Sequence, residues 1–548
     1  MPFIKYKGYY IKKIKLSDSE LKKIKDELTV EPKAVQFGIS TDDTKYKLYK
    51  STKKYIIVPK YYGIQNFGKT KLKSNPEQVL INFNGSLRDY QEPIVQKILD
   101  KMNDVGGGLL SVPCGRGKTL MAIYIAHKLG VKTLVVVHKR FLLNQWKKQI
   151  KKFCDIDAGI IRGKTIDVDN KEIVIGMIHS LSMKDYDSDI FEDFGLVIYD
   201  ESHHCASKVF SKALMKTSFK YTLALSATPY RNDGLIKIMH WFLGETIYRE
   251  KIRINDLVVA KIFNYTSSQP EFKEKLIGWG PQKGKPDVIK MMGNLVKLKE
   301  RNLHLIRIIN SLRKEQRKII ILSKYVDHLK QLKEGVDELI KADENAGLIM
   351  PGEITTSYYI GSMKQWQREE AEESADIFFA TNDLAREGLD IERLNTVVLA
   401  TSQKDVNQSV GRAMRKILGD GDQCPLIIDF ADNLSSFKNH ARLRKKFYKE
   451  CKYKLEEYSI TNNKFSNNIS DDNSDDNSDD NFDDNFDDKN VNIDLILKTE
   501  PIVLTKENIL VDDACDEPDD IYDKNIEIDE KNIEKKTIKK RDFKKRII

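Results

Sequence analysis

A chain of 548 residues with 92 Lys and Arg, 82 Asp and Glu and a net charge of +10 has room for about three or four domains with buried cores. It lacks the run of about 18 apolar residues that a membrane span needs, its start MPFIKYKGYYIKKIKL lacks the apolar core of a secretory signal, and its six cysteines form no CxxC pair, which argues against a membrane protein, a disulfide scaffold or a zinc ribbon. The expectation is an intracellular chain, cytoplasmic or nuclear, with reduced thiols. Residues 461–548 hold 14 Lys and Arg against 25 Asp and Glu, a net charge of −11, which leaves +21 on residues 1–460. Such a body favours a polyanionic partner, although a lysine-rich surface kept for solubility gives the same composition.

In chain order, residues 1–80 carry short aromatic and β-branched runs such as KYKLYK and KYIIVPKYYGI, the pattern of a small β-containing accessory domain. Over 81–245 and again over 301–435, apolar runs alternate with amphipathic stretches: LLSV, TLVVVH, IVIGMI, LVIYDE and TLALSA, then KIIILS, IFFAT, TVVLAT and PLIIDF. That alternation predicts an α/β protein with two tandem doubly wound domains, each on a parallel sheet. Residues 246–300, with Pro270, Pro281 and Pro286, read as a connector or insertion, and Asn439 to Tyr458, within 436–460, reads as a basic helix. The rest, 461–548, reads as a disordered acidic tail with a basic end: the repeat SDDNSDDNSDDNFDDNFDD at 470–488 has ten Asp and no basic residue, and like charges with few apolar groups keep a segment unfolded.

The chemistry begins at SVPCGRGKT, between a strand-like and a helix-like run. A Gly-containing turn there presents backbone N–H groups and a helix N-terminus to phosphate oxygens. Pro113, Cys114, Gly115, Arg116 and Gly117 form the cradle, Lys118 reaches the β- and γ-phosphates of ATP, and Thr119 binds Mg²⁺. Val112 stands where the strict P-loop pattern has Gly. The run FGLVIYDESHHC sets Asp200 and Glu201 at a strand end 82 residues after Lys118, and carboxyl ends of parallel strands line a ligand crevice. Asp200 suits the Mg²⁺ shell and Glu201 the general base. An isolated acidic pair would more often be a turn or cap, and His203, His204 and Cys205 have no second ligand cluster to make a metal site.

The motifs PCGRGKT, DESH, SAT (Ser226, Ala227, Thr228) and QSVGRAMR (Gln408 to Arg415) stand in the order of motifs I, II, III and VI of superfamily 2 helicases, which the chain resembles over residues 81–430. LRDYQ resembles the adenine-recognition motif, LVVVHKRFLLNQW and VIGMIHSLS motifs Ia and Ib, IIILSKYVDHL motif IV, and ATNDLAREGLDI motif V. The loop and DExH box are most similar to XPB-type and phage branch-migration DNA helicases, and the N-terminal ELTVEPK…YIIVPKYYGIQNFG resembles helicases of large cytoplasmic DNA viruses, including the poxvirus transcript-release helicase. The resemblance implies two RecA-like domains with ATP between them. It places Arg88 and Gln91 on the adenine, Gln408, Arg412 and Arg415 in the cleft from the second domain, and Gly388 and Asp390 as nucleotide sensors. It also implies that His203, Ser226 and Thr228 couple the sites, and that Arg140, Ser180, Lys324 and Thr381 contact the nucleic-acid strand. Two arginines three apart share one helix face, and a planar, permanently charged fork suits phosphoryl oxygens.

The expected activity is an ATP-dependent DNA helicase or translocase, acting as a monomer in viral transcription, replication or repair, with transcription or replication proteins as further partners. An RNA helicase is the alternative, because such motors grip the backbone and 2′-hydroxyl contacts decide. A restriction motor subunit would need a nuclease cluster that is not evident, and a scaffold would not need Lys118, Asp200, Glu201 and both arginines together.

Overall fold

The computed structural model describes residues 2–31, 45–73, 76–113, 116–205, 207–227, 236–250, 257–280, 282–388, 391, 393–413, 421–461, 464–468 and 493–499. Two eight-stranded sheets dominate. The first runs in the order Thr165–Asp167, Gly159–Arg162, Ile173–Met177, Thr133–Val137, Leu196–Tyr199, Tyr221–Ser226, Gly107–Ser111, Thr246–Arg249, parallel except at the first strand. The second runs Thr356–Tyr359, Ile377–Thr381, Ile319–Ser323, Thr396–Leu399, Leu426–Asp432, Val259–Thr266, Lys454–Thr461, Lys464–Asn468, parallel except at the last. A parallel strand covered on both faces is apolar at every position, and the alternation is visible in the packing. Leu134, Val136, Val197 and Tyr199 enter one core of the first sheet, while Val135, Val137, Leu196 and Ile198 enter the other. In the second sheet Ile319 and Ile321 face one core, Ile320 and Leu322 the other.

The N-terminal residues form an antiparallel sheet in the order Phe3–Lys5, Gly8–Lys12, Tyr55–Val58, Lys50–Ser51, with helices Asp18–Glu27 and Lys60–Phe67. Ser17 and Glu20 close the first helix with a reciprocal capping box. Tyr9, Ile56 and Tyr62 share one apolar core with Leu134 and Val197 of the first sheet. The buried Lys60 donates to the carbonyls of Phe219 (3.1 Å) and Lys220 (2.8 Å), so the accessory domain is joined at the amino end of strand Tyr221–Ser226, away from the phosphate loop.

Three expected boundaries change. Residues 246–300 are more than a connector: Thr246–Arg249 pairs with the strand that leads into the phosphate loop, and Val259–Thr266 is an interior strand of the second sheet. The basic helix is Ser436–Glu450, and Lys454–Thr461 continues the second sheet rather than the helix. The segment after 461 is not wholly a tail either. Lys464–Asn468 is an edge strand, and the short helix Ile493–Leu497 docks on the second domain, with Ile496 and Leu497 buried and Lys261 Nζ donating to the Lys498 carbonyl at 3.1 Å. The acidic repeat at 470–488 and the basic end lie outside the described residues.

Candidate nucleotide and nucleic-acid site

The phosphate-loop strand Gly107–Ser111 and the DESH strand Leu196–Tyr199 flank strand Tyr221–Ser226, all parallel, so their carboxyl ends open on one edge. Gly117 caps helix Lys118–Leu129 with φ 77°, and a Cβ there would meet Gln91 Nε2 at 2.4 Å. Only glycine combines that left-handed turn with so close an approach. Gln91, buried at the start of helix Gln91–Val105, accepts from Arg88 N (3.0 Å) and donates to the Arg116 carbonyl (2.9 Å). Both ends of the amide expected on adenine are thus engaged in holding the loop. The Arg116 guanidinium pairs with Glu250 at 2.6 Å and lies 3.9 Å from the centre of the Tyr90 ring. Lys118 Nζ folds over the turn and donates to the carbonyls of Val112 (2.9 Å) and Pro113 (3.2 Å). Thr119 is half-buried as the second residue of that helix. Cys114 and Gly115 lie outside the described residues.

Asp200 and Glu201 follow the DESH strand directly. The Asp200 carboxylate accepts from the buried Trp146 indole N–H at 2.9 Å and from the Glu201 N–H at 3.0 Å, two donors that fix its plane. Glu201 is 3% exposed and adopts φ 46°, ψ 52°, a left-handed conformation that costs a non-glycine residue on the order of 1–3 kcal/mol and gathers at functional sites. His203 Nδ1 lies 3.5 Å from Glu201 Oε2 and 3.3 Å from Ser226 Oγ. His203 Nδ1 thus stands between the Glu201 carboxylate, at ion-pair distance, and Ser226 Oγ, at hydrogen-bond distance, at the end of strand Tyr221–Ser226. Thr228 lies outside the described residues.

The four candidate strand contacts fall at carboxyl edges. Arg140, exposed, begins helix Arg140–Cys154 after strand Thr133–Val137. Ser180, in helix Ile178–Met183, accepts from Gly163 N at 2.9 Å, so its hydroxyl is already holding a neighbouring turn. Lys324 is exposed beyond strand Ile319–Ser323, and its N–H donates to Thr401 Oγ1 at 3.0 Å. Thr381 ends strand Ile377–Thr381 and leads into helix Asn382–Gly388, which ends at Gly388. Gln408 and Arg412 lie on helix Asn407–Ala413, while Asp390 and Arg415 lie outside the described residues. The α/β units meet where Asn144 donates to Gln365 at 3.1 Å and Phe141 packs against cores of both.

Two arginine–aspartate pairs of the second domain escaped sequence reasoning. Arg301 grips Asp432 with two hydrogen bonds (2.7 and 2.9 Å) and the Ala400 carbonyl, and Arg444 grips Asp429 with two (2.7 Å each) and the Gln403 carbonyl at 2.6 Å. Both pairs are buried. The run DFAD, with its carboxylates three apart at the end of an apolar strand, was the available signal.

Comparison with known proteins agrees with this layout. Residues 84–231 match the family described as type III restriction enzyme, res subunit, and residues 300–416 match the helicase conserved C-terminal domain. A chain of Acanthamoeba polyphaga mimivirus that bears the name ATP-dependent RNA helicase L396 is 35% identical over 473 residues, covering 83% of this chain and 86% of the relative. This chain is a superfamily 2 helicase. The helicase is also 33% identical over 172 residues to the DNA 3′-5′ translocase XPB2 of Sulfurisphaera tokodaii, covering 30% and 36% of the two chains. A fragment of a type I restriction HsdR subunit from Vibrio vulnificus has the same fold, at 16% identity, 70% coverage of each chain and a TM-score of 0.50. The helicase is an ATP-dependent enzyme that acts on nucleic acid, and none of its described helices is long and apolar enough to cross a membrane.

Proposed function

We propose that the helicase hydrolyses ATP at the edge where Lys118, Asp200 and Glu201 converge and uses the cycle to move along DNA. The observation that carries this reading is the link Glu201–His203–Ser226, which connects the candidate base to the end of the strand between the phosphate loop and the DESH box. The residues fit a magnesium–nucleotide: the Gly117 turn has room for no side chain, and the Asp200 carboxylate is held in plane by one donor on each oxygen. Thr119 and Asp200 would hold Mg²⁺, which supplies charge neutralisation at the phosphates. Lys118 would exchange its two carbonyl acceptors for phosphate oxygens. Glu201 would take the proton of the attacking water, and its burial keeps that carboxylate short of competing water. Gln91 would keep the loop in shape while the Arg88–Gln91 turn meets adenine. Arg412 and Arg415 would enter from the second domain to stabilise charge on the transferring phosphoryl, a contribution of about 10³–10⁵ in rate. Gly388 and Asp390 would report on the nucleotide, Ser226 and Thr228 would carry the signal, and Arg140, Ser180, Lys324 and Thr381 would meet the strand, chiefly at its phosphates.

DNA as the track is supported by the XPB-like loop and DESH box and by the XPB2 relative. A second reading, RNA as the track, is favoured by the name of the mimivirus relative. ATPase rates with single-stranded DNA, duplex DNA and RNA as activators decide. DNA is expected to stimulate more than RNA, steeply less so as salt rises, and stimulation by RNA alone would overturn the DNA reading. We place the protein in the cytoplasm as a monomer working beside transcription or replication proteins; sedimentation of the purified chain and its co-purification with a polymerase test this.

A further inference from the structure

Between strand Val259–Thr266 and helix Val288–Leu295 the chain makes a small arm. Its sides are joined by Ile277 N to the Lys285 carbonyl (2.9 Å), Gly284 N to the Ile277 carbonyl (2.9 Å) and Asp287 N to the Lys275 carbonyl (2.6 Å), with Leu276 opposite Pro286. Trp279 stands at the end of the arm with 86% of its surface exposed. On either side of it, Gly278, Gly280 and Gly284 have no atom near enough to touch an added Cβ, so these positions are open. From residue 275 to 285 the charged residues are Lys275, Lys283 and Lys285, with no acid among them. Single exposed apolar residues are common, but an indole beside lysines presents a flat apolar face that a stacked aromatic partner covers well. Lysines around it exclude a basic partner and suit a polyanion with flat apolar faces.

The arm is rooted at the edge where the strand contacts cluster. Tyr325 Oη donates to the Ile289 carbonyl just after the arm, and Tyr325 adjoins Lys324 at the carboxyl end of strand Ile319–Ser323. Ser435 Oγ donates to Glu274 just before it, beyond the carboxyl end of strand Leu426–Asp432. A groove of about 450 Å³ opens beside the arm's root between helix Val288–Leu295 and the start of helix Val326–Asn345, lined by Lys290, Lys297, Tyr325, Asp327 and Gln331 among others. We infer that the arm is a base-stacking site, with Trp279 lying on an unpaired base of the strand and Lys283 and Lys285 on its phosphates. This rests on the nucleic-acid reading above and assigns to it a contact that carries base, rather than backbone, recognition. Stacking on an aromatic ring is tolerant of sequence, so the arm distinguishes unpaired from paired nucleotides and not one base from another.

The test is a two-by-two comparison of wild type and Trp279→Ala on a single-stranded oligonucleotide and on the same oligonucleotide with abasic sites. On the intact strand the variant should bind about tenfold more weakly, and on the abasic strand the two proteins should bind alike. Trp279→Phe should restore most of the loss. Lys283→Ala with Lys285→Ala should flatten the slope of log affinity against log salt by about 1–2. The strand concentration for half-maximal ATPase stimulation should rise about tenfold in Trp279→Ala, in step with the loss of binding. Equal binding of both proteins to the intact strand would overturn the inference, as would an equal loss on the abasic strand, the mark of a protein-docking or structural tryptophan. If the wild type is neither bound nor stimulated by any nucleic acid, the nucleic-acid reading itself fails.

Discussion

The Asp200 carboxylate takes its orientation from the indole of Trp146, the last residue of the run LVVVHKRFLLNQW, which the sequence pattern ties to the nucleic-acid strand and not to the nucleotide site. Trp146 sits on helix Arg140–Cys154, buried, with its N–H on Asp200 Oδ2, and a hydrogen bond to a charged acceptor contributes about 1.5–3 kcal/mol. Trp146→Phe should therefore raise the Mg²⁺ concentration for half-maximal hydrolysis about tenfold, with turnover largely restored at saturating Mg²⁺; an unchanged magnesium curve would show that Asp200 does not hold the ion. Lys118→Ala and Glu201→Gln should abolish hydrolysis while circular dichroism and the melting temperature stay near wild type, and full turnover in either folded variant would remove it from the site. At this scale the sequence marks residues whose chemistry is rare in combination: a lysine after a glycine turn, then paired carboxylates at a strand end. It could not tie Trp146 to Asp200, 54 residues away, nor mark the engagement of Gln91 with Arg116, which depends on how the loop closes.

At the scale of elements, strands buried on both faces were legible as unbroken apolar runs, and those with polar interruptions were not. VAKIFNYT reads poorly because of Lys261, yet Lys261 is 3% exposed, paired with Glu456 at 3.0 Å and capped by carbonyls of the docked C-terminal helix. KLEEYSIT reads as the end of a helix because its acids are helix formers that happen to lie on a half-covered strand. Buried pairs set two measurable dependences. Arg444→Met leaves Asp429 inside without its partner and should destabilise the second domain by about 3–5 kcal/mol, while adding Asp429→Leu should recover most of it in denaturant titrations. Lys60 tests how the accessory domain is held. Burial pulls its ammonium down to about 7 from the usual 10.5, because two carbonyl acceptors replace only part of its hydration. Below pH 7 both folded and unfolded chains carry that proton and the burial cost is complete; between 7 and 10.5 the folded chain sheds it first, so stability should rise with pH. The melting temperature of wild type should gain on that of Lys60→Met between pH 7 and pH 9, and parallel curves would refute the role.

For the whole molecule, the acidic repeat and the basic body pose a question of self-competition: a tethered polyanion has a high effective concentration at a basic groove, weakened by salt. Truncation at 460 would also remove Lys464–Asn468 and the docked helix Ile493–Leu497, so the cleaner experiment changes the ten aspartates of 470–488 to asparagine and leaves the chain intact. If the repeat restrains binding, the neutralised protein should hold single-stranded DNA more tightly at low salt, with the gap closing as salt rises; equal affinity at low ionic strength would leave the repeat as a spacer. The interior position of Val259–Thr266 has a consequence for how the protein is made. Its two neighbours, Leu426–Asp432 and Lys454–Thr461, emerge from the ribosome about 170 to 200 residues later, roughly 10–40 s at about 5–20 residues per second. Throughout that interval the first sheet can close while an apolar strand with both edges open waits on the nascent chain, a ready template for mispairing. Val259, Ala260, Ile262 and Phe263 are thus the residues whose exposure during translation most favours holding by a chaperone until residue 461 is clear.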